Sequence, residues 1–333
     1  MLKLKYLFDN FALAKECMEL YEYDKETQDT MMSFYRISSN AIYPFRTGEE
    51  AETICFLRLS PAEEKSLEDV VTEVSLIEWL IEKDFPAMKP VPMKDGGFVK
   101  QVSTKWGTFN VSCFEKVPGE SLEDIQGTPD LAKGYGNILG KLHAQLKDYS
   151  CPDNRRNHKA LLKEIGERLE KYEAPEIVKE EYRIVCGELE QLPISLDTYG
   201  VIHYDFEPDN VFYDETQGMF SVIDFDDALC CWYALDVVRA LDALDEFVEE
   251  SQVQEAEQCF LEGYRSAINF TEEQQQSFSL MRRLVHLQEY ANILHVMSEP
   301  PVEIPDWMYG LLEKLKCKLY CVEELLQQAA GQV

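Results

Sequence analysis

The sequence of 333 residues has no long apolar run and no recognisable leader. No segment approaches the roughly 18 consecutive apolar residues that a membrane-spanning helix needs. The first residues, MLKLKYLFDNFALAKE, lack an apolar stretch followed by a small-residue cleavage site. These two absences predict a cytoplasmic protein with no membrane partner.

Basic residues are scarce relative to acidic ones. The chain has 32 Lys plus Arg against 62 Asp plus Glu, a formal net charge of −30. A field of that sign repels the phosphates of nucleic acids and the headgroups of anionic lipids. It therefore predicts no nucleic-acid partner and is compatible with a cationic or neutral small substrate.

The ten cysteines include no C-x-x-C pair. Cys317 and Cys321 lie one helical turn apart, but no nearby His or further Cys completes a metal site. The pattern is typical of reduced thiols in a cytoplasm, several of them packed as small apolar residues.

The composition is that of a globular protein long enough for two lobes, with 45% apolar and 28% charged residues. Residues 1–116 read as a small N-lobe with an antiparallel sheet and one main helix. Strands are predicted at 34–45, 54–59 and 109–117, a turn at Arg46–Glu49 and a helix at 67–81. In the helix, Glu73 flanks the apolar stripe, where its side chain can reach the sheet.

Residues 117–333 read as a larger, mostly helical C-lobe with a β-hairpin. Helical periodicity marks residues 131–146, 158–192, 234–249, 253–268, 273–297 and 307–328. The predicted fold class is therefore α+β and bilobal. Within the helices, His143 is predicted to be a core histidine, and Asp236 with Arg239 a stabilising pair one turn apart.

The segment Val201–Ala228, VIHYDFEPDNVFYDETQGMFSVIDFDDA, carries the clearest chemical signal. Asp205 and Asn210 are spaced as D-x-x-x-x-N, and Asp224 follows in IDFDDA. Phosphoryl transfer to a hydroxyl needs a carboxylate that orients the acceptor and takes its proton, and oxygen ligands for Mg²⁺. We expect Asp205 to be that base, and Asn210 and Asp224 to be the metal ligands.

The letters around this segment predict a hairpin that brings the two ligands together. Val211–Tyr213 and Met219–Ile223 are short apolar strands separated by a turn-rich loop that contains Gly218. The chain leaves at Asn210 and returns at Asp224, so both side chains are expected at the open end of the hairpin.

This plan and these motifs resemble the aminoglycoside phosphotransferase and choline kinase superfamily, whose fold is protein-kinase-like. IDFDDA is most similar to the branch with type II homoserine kinases, CotS-like kinases and RdoA-like kinases. The resemblance implies that ATP and Mg²⁺ are the cofactors. It spans essentially the whole chain, but its specificity is concentrated in residues 201–228.

The resemblance also implies nucleotide-binding residues in the N-lobe. Arg58 stands where relatives carry a phosphate-contacting Lys or Arg, and Glu73 would be its ion-pair partner. Asn40, within Ser39–Tyr43, would belong to a short nucleotide loop. Glu115 to Val117 resembles the hinge whose backbone groups bind adenine.

Three departures from the family pattern stand out. Tyr204 occupies the place of a small Gly, and Asp226 the place of the Gly in the protein-kinase D-F-G motif. No G-x-G-x-x-G precedes Arg58, so the phosphates would be held differently. Arg in place of Lys keeps a fixed charge and can bind phosphate with two donors.

The resulting hypothesis is an ATP- and Mg²⁺-dependent kinase that phosphorylates a hydroxyl of a small, amine-bearing molecule. Two alternatives stay open: an RdoA-like Ser/Thr protein kinase, and a nucleotide-binding regulatory protein without catalysis. The sequence does not specify the acceptor, the choice between ATP and GTP, or the oligomeric state. It also leaves open whether His286 and His295 line the acceptor site.

Overall fold

The computed structural model describes residues 10–24, 36–37, 41–47, 53–152, 155–299 and 306–330. They form two compact units. The first consists of the described residues up to Leu122 together with Asp209–Asp226, and the second of Glu123–Pro208 and the described residues from Asp227 onward. The predicted lobe division at residue 116 stays a prediction. Among the described residues, the helices are either too short or too polar to cross a bilayer.

A five-stranded antiparallel sheet, in the order β1–β2–β3–β5–β4, is the framework of the first unit. Its strands are β1 (Arg36–Ile37), β2 (Ala41–Thr47), β3 (Thr53–Pro61), β4 (Lys100–Thr104) and β5 (Gly107–Glu115). The predicted hairpin is confirmed as β2–β3. The turn predicted at Arg46 and Thr47 is wrong, because they pair with Ile54 and Thr53; residues 48–49 lie outside the described part.

The two faces of the sheet have different neighbours, because side chains alternate along each strand. Cys55, Leu57 and Leu59 of β3 point into a hydrophobic core. Helix α1 (Phe11–Met18) covers that core, and the Asn10 side chain caps the helix by accepting from the amide of Leu13. Ile54, Phe56 and Arg58 point to the opposite face of the sheet.

Helix α2 (Leu67–Glu82) is the main helix of this unit and begins where its sequence predicts. The Ser66 hydroxyl accepts from the amide of Asp69, and the Asp69 carboxylate accepts from the amide of Ser66, a complete capping box. Glu73 is buried on the same side as the apolar stripe. The helix therefore delivers one carboxylate to the interior.

The remaining predicted helices and the two hairpin strands are present, together with short strands that the sequence did not predict. The other strands are β6 (Glu120–Ser121), β7 (Tyr199–Ile202), β8 (Val211–Asp214), β9 (Met219–Val222) and β10 (Leu229–Trp232). The helices are α3 (Pro129–Leu146), α4 (His158–Lys171), α5 (Glu176–Leu189), α6 (Tyr233–Asp242), α7 (Val253–Ala267), α8 (Glu272–Gln276), α9 (Phe278–Met297) and α10 (Asp306–Ala330). Strands β6–β8–β9 form a sheet in the first unit, and β7–β10 form one in the second.

Helix α6 ends earlier than the predicted helix over 234–249. The chain continues as short 3₁₀ turns at Leu244–Glu246 and Glu250–Gln252. The carbonyl of Phe247 accepts from the amide of Gly127 at 2.7 Å. In a continuing helix that carbonyl would accept a hydrogen bond from an amide of the same helix. Because the helix has ended, the carbonyl can accept from Gly127.

Helices α3 and α7 pack so closely that glycine is needed at the contact. A Cβ placed on Gly263 of α7 would lie 1.9 Å from the carbonyl oxygen of Lys133 in α3. No real Cβ fits there, so the backbones could not approach this far with any other residue.

The cysteines are free thiols, as predicted, and several are core residues. Cys17, Cys55 and Cys113 are buried in the first unit. In the second unit, the Sγ atom of Cys151 lies 2.8 Å from that of Cys230.

Candidate active site

A pocket with an empty volume of about 650 Å³ lies on the face of the main sheet opposite its core. Its walls are mainly apolar and come from the sheet, from the strand end at Glu115–Val117 and from the β8–β9 hairpin. The lining residues are Ile42, Phe56, Arg58, Met88, Phe114, Glu115, Lys116, Val117, Phe212, Ile223 and Asp224. Every one of them belongs to the first unit.

Arg58 supplies a buried positive charge to this pocket. Its guanidinium makes two bonds to the Glu73 carboxylate, Nη1–Oε1 at 2.8 Å and Nη2–Oε2 at 2.5 Å, and Nε donates to Ser112 Oγ at 3.2 Å. Its Cζ atom is 4.7 Å from the ring centre of Phe114. Burial by itself would lower the pKa of Arg58, but Glu73 outweighs it and raises that pKa above its usual value. The guanidinium is therefore permanently charged and held in one orientation.

The predicted hairpin is present and is hydrogen-bonded to the rest of the first unit. Strands β8 and β9 pair antiparallel from Val211–Val222 to Asp214–Met219. The amide of Val222 donates to the carbonyl of Pro86 at 2.9 Å, and its carbonyl accepts from the amide of Met88 at 3.0 Å. These bonds fix the hairpin beside the pocket.

The open end of the hairpin carries Asn210 and Asp224. The amide of Ile223 donates to the carbonyl of Asn210 at 3.0 Å, which joins the two chain ends. Asn210 is almost fully buried, while the Asp224 side chain is 26% exposed. Oδ1 of Asp224 lies 3.7 Å from Nη1 of Arg58. Amide and carboxylate side chains at the same end of a hairpin carry oxygen donors of the kind that a hard divalent cation binds.

The backbone around Asp224 is held in an uncommon conformation. Asp224 has φ +62°, which non-glycine residues other than Asn and Asp seldom adopt. Two residues later, the Asp226 carboxylate accepts from Lys65 Nζ at 2.8 Å, and Lys65 also contacts the Asp226 carbonyl. The Asp in place of the D-F-G glycine is thus an anchoring residue.

Asp205, the predicted base, lies in a loop of the second unit that is organised by Asp236. The amides of His203 and Tyr204 each donate to the Asp236 carboxylate at 2.7 Å. The same carboxylate lies 3.1 Å from His143 Nε2, whose Nδ1 is 2.7 Å from Tyr264 Oη. His143 is fully buried, so its predicted role as a core histidine is confirmed.

Tyr204 takes the backbone conformation that a glycine would have. Its φ is +75°, in the left-handed region. This backbone conformation costs a non-glycine residue about 1–2 kcal/mol.

Arg239 holds the carboxylate of Asp205. Its Nη2 atom donates to Asp205 Oδ1 at 3.0 Å and to Glu207 Oε1 at 2.8 Å. Burial would lower the pKa of Arg239, but Asp205 and then Glu207 raise it above its usual value. The prediction that Asp236 and Arg239 pair with each other is wrong. Asp236 binds the amides of His203 and Tyr204, and Arg239, one turn later in α6, binds the carboxylates of Asp205 and Glu207.

The structure brings together most of the predicted nucleotide-binding residues. Arg58, Glu115 and Val117 line the pocket with Asp224, and Glu73 binds Arg58 from behind. Asn40 lies outside the described residues. Their roles in catalysis and binding stay predictions.

Sequence reasoning missed Lys65 and the function of Arg239 as partners of the candidate site. Lys65 lies 161 residues from Asp226 and Arg239 lies 34 from Asp205. Neither position has a local pattern, because a side chain in a turn or on a helix face finds such partners only after the chain has folded. One sequence signal was available. Several carboxylates lie near residues 205 and 226, and buried carboxylates are usually paired with basic side chains.

Comparison with known proteins gives a family and a fold. The model of the phosphotransferase enzyme family matches residues 38–268. Amicoumacin kinase of Bacillus subtilis (strain 168) is 23% identical over 237 residues, which are 70% of this chain and 68% of that protein.

Two solved structures match nearly the whole chain. Amicoumacin kinase hAmiN, in complex with AMP-PNP, Ca²⁺ and Ami, has a TM-score of 0.75 and 22% identity, covering 94% of this chain and 93% of that one. A microcompartment-associated aminopropanol kinase has a TM-score of 0.71 and 20% identity, covering 97% and 99%. The predicted kinase-like α+β fold is thereby confirmed.

Proposed function

Because this chain belongs to the phosphotransferase enzyme family, we propose that it transfers the terminal phosphoryl group of ATP to a hydroxyl of a small, amine-bearing molecule. The predicted enzyme class, a phosphotransferase with an alcohol group as acceptor, is confirmed at the level of the family. The observation that carries the proposal is a single pocket lined by Glu115–Val117, Arg58 and Asp224.

The apolar part of the pocket suits a nucleotide base. Two backbone amides there are occupied within the protein, since Glu115 donates to the Lys89 carbonyl at 2.8 Å and Lys116 donates to the Ile54 carbonyl at 2.9 Å. We therefore assign the base contacts to the Glu115 carbonyl, which accepts from the exocyclic amine of adenine, and to the Val117 amide, which donates to a ring nitrogen. Apolar walls such as Phe56 bury the faces of the base.

The polar end of the pocket suits the phosphates. Arg58 is a fully charged guanidinium that lines the pocket and is held in place by Glu73. Asn210 and Asp224 would hold Mg²⁺, which when bound offsets negative charge on the phosphates. The proximity of Arg58 to Asp224 supports one polar site for both.

Asp205 would orient the acceptor hydroxyl and take its proton. Five residues before Asn210, it has the spacing of a kinase catalytic loop, and Arg239 keeps one of its oxygens in a fixed direction. Its second oxygen is the one we assign to the acceptor.

The class of acceptor is inferred from charge and from the relatives. A net charge of −30 favours a cationic small molecule over an anionic one. The structural relative named as an aminopropanol kinase supports an acceptor that carries an amine and a hydroxyl.

The test compares wild type with Asp205→Ala and Asp224→Ala. Mg·ATP binding is measured by calorimetry, and transfer is measured by mass spectrometry over amino alcohols, aminoglycosides and protein substrates. Asp205→Ala should lower kcat by about 10²–10⁴-fold and leave Mg·ATP binding in place, whereas Asp224→Ala should weaken binding as well.

Three results would contradict the proposal. Wild-type turnover in Asp205→Ala would exclude Asp205 as the base. Transfer to protein substrates alone would exclude the small-molecule acceptor. Mg·ATP binding without transfer to any acceptor would favour a regulatory nucleotide-binding protein.

A further inference from the structure

Tyr204 occupies a strained backbone position next to the proposed base and is buried between two cations. Its side chain is 4% exposed, and its φ is +75°. The Cζ atom of Arg239 lies 5.2 Å from the centre of its ring, and the Cζ atom of Arg156 lies 5.7 Å from it. Both distances are within the range of a cation–π contact.

The hydroxyl of Tyr204 adds nothing to these contacts. Among the described residues, no hydrogen-bond partner reaches this buried oxygen. A buried hydroxyl without a partner costs free energy, as does the left-handed backbone of a non-glycine residue. The benefit of tyrosine at this position therefore has to come from its ring.

The ring supports the guanidinium that holds Asp205. Arg239 is 10% exposed, and its Nη2 atom is shared by Asp205 Oδ1 and Glu207 Oε1. Its Nε atom is buried with no partner in the described part of the chain, so that edge of the guanidinium is held by packing and not by a hydrogen bond. The Tyr204 ring packs against this guanidinium.

We propose that Tyr204 and Arg239 are a coupled pair of positioning residues, in which the Tyr204 ring orients Arg239 and Arg239 orients the Asp205 carboxylate. This inference rests on the proposed function of Asp205. The shared nitrogen also keeps two like charges, on Asp205 and Glu207, side by side. Without Arg239 they repel each other, and the Asp205 carboxylate turns away from a single orientation. Misplacing a reacting group by about 1 Å costs on the order of 100-fold in rate.

The test is a double-mutant cycle on kcat with Tyr204→Leu and Arg239→Met. Leucine keeps a Cβ and hence the left-handed strain, but it removes the ring. Each single variant should lower kcat about 10- to 100-fold while the Kd for Mg·ATP is unchanged. The double variant should be no slower than Arg239→Met alone, because Tyr204 acts through Arg239. Tyr204→Phe restores the ring and should recover most of the kcat that Tyr204→Leu loses.

A matched control removes another arginine that binds the same helix α6. Arg282 of α9 makes a bidentate ion pair with Asp242, Nη2–Oδ1 at 2.7 Å and Nε–Oδ2 at 3.0 Å. Arg282→Met should leave kcat unchanged. The inference would be overturned if the double variant lowered kcat by the product of the two single-variant factors. It would also be overturned if each single variant weakened Mg·ATP binding by the same factor as it lowered kcat.

A readout without turnover separates this inference from the proposed function. Hydrogen–deuterium exchange of the peptide that spans residues 201–208 should accelerate in Tyr204→Leu and in Arg239→Met, and not in Arg282→Met. Unchanged exchange in both variants would overturn the inference whatever the activity. A wild type that transfers no phosphoryl group would contradict the proposed function, and the exchange result would still decide whether the pair holds the loop.

Discussion

The guanidinium of Arg58 and the carboxylate of Glu73 form a two-pronged ion pair with both side chains at least 96% buried. The pair joins strand β3 to helix α2. Because Glu73 satisfies two donors of Arg58, it holds the guanidinium in one plane and in one charge state. The ion pair is thus part of the wall of the pocket as well as a link between two elements.

Breaking this pair from one side should destabilise the protein strongly. Glu73→Leu removes both short bonds to the buried Arg58 charge and leaves it the longer, 3.7 Å contact with Asp224, with an expected loss of about 3 kcal/mol in the free energy of unfolding. The double variant Arg58→Met/Glu73→Leu should regain much of that stability, because it buries no charge. Urea unfolding measures both. A double variant as unstable as the two single losses combined would contradict the coupling of the pair.

The close contact between α3 and α7 predicts opposite effects of one substitution at two helical glycines. Gly263→Ala forces the Lys133 carbonyl away and should cost about 1–3 kcal/mol. Gly187→Ala, in α5, meets no atom within 4 Å and should stabilise the protein by about 1 kcal/mol through helix propensity. Thermal unfolding compares the two. A stabilising Gly263→Ala would show that the helices are not in backbone contact.

His158 should make the protein less stable as the pH falls. Its Nδ1 lies 2.6 Å from Tyr199 Oη and its ring packs on Trp232. Burial, followed by the charge of Lys159, lowers the pKa of His158 below its usual 6.5. The unfolded chain therefore binds the proton more readily, so stability is full above pH 6.5 and is lost as the pH falls below it.

Unfolding free energies at about pH 7.5 and about pH 5.5 test this expectation. The pKa of His286 is also lowered by burial, so His158→Gln should reduce the pH dependence without abolishing it. An identical pH dependence in wild type and variant would contradict the assignment to His158.

Cys151 and Cys230 should be the thiols that a mild oxidant cross-links first. Their sulfurs are 2.8 Å apart, and Cys151 is exposed. In two thiol–disulfide exchanges with added oxidised glutathione, each thiol loses one proton and one electron, an S–S bond forms between Cys151 and Cys230, and two molecules of reduced glutathione are released. Intact-mass analysis and peptide mapping detect this product.

The rate of this cross-linking should increase with pH. The hydrogen bond with Cys151 is the main cause that raises the pKa of the Cys230 thiol, so the reactive thiolate forms more readily at alkaline pH. Cross-linking of Cys317 to Cys321 in its place would contradict the prediction.

Local patterns predicted the main helices, the strands β2, β3 and β5, and the β8–β9 hairpin. Alternation along β3 assigned Phe56 and Arg58 to one face, and the spacing of Asn210 and Asp224 around a turn put them at one end of a hairpin. Strand β4 was missed, because KQVST has little apolar alternation and pairs with β5 through its backbone. Propensity is a weak guide where a strand lies at the edge of a sheet.

Contacts between distant side chains could not be predicted. The partner of Asp226 proved to be Lys65, and the partners of Asp236 proved to be backbone amides at His203 and Tyr204. A single sequence shows the charge of each side chain. It does not show which oppositely charged side chain lies close to it in the folded protein. The left-handed conformation of Tyr204 could not be predicted either, because the Asp236 carboxylate that binds the amides of His203 and Tyr204 lies 33 and 32 residues further along the chain.

The first compact unit is assembled from two separate pieces of the chain, which has a consequence for its biosynthesis. Residues 123–208, which belong to the second unit, must leave the ribosome before Asp209–Asp226 can complete the first. The first unit therefore lacks its β8–β9 hairpin while the helices of residues 123–208 are being made. A nascent chain arrested before residue 226 would expose the Pro86 and Met88 backbone groups that Val222 later binds, and chaperones would be expected to engage that intermediate.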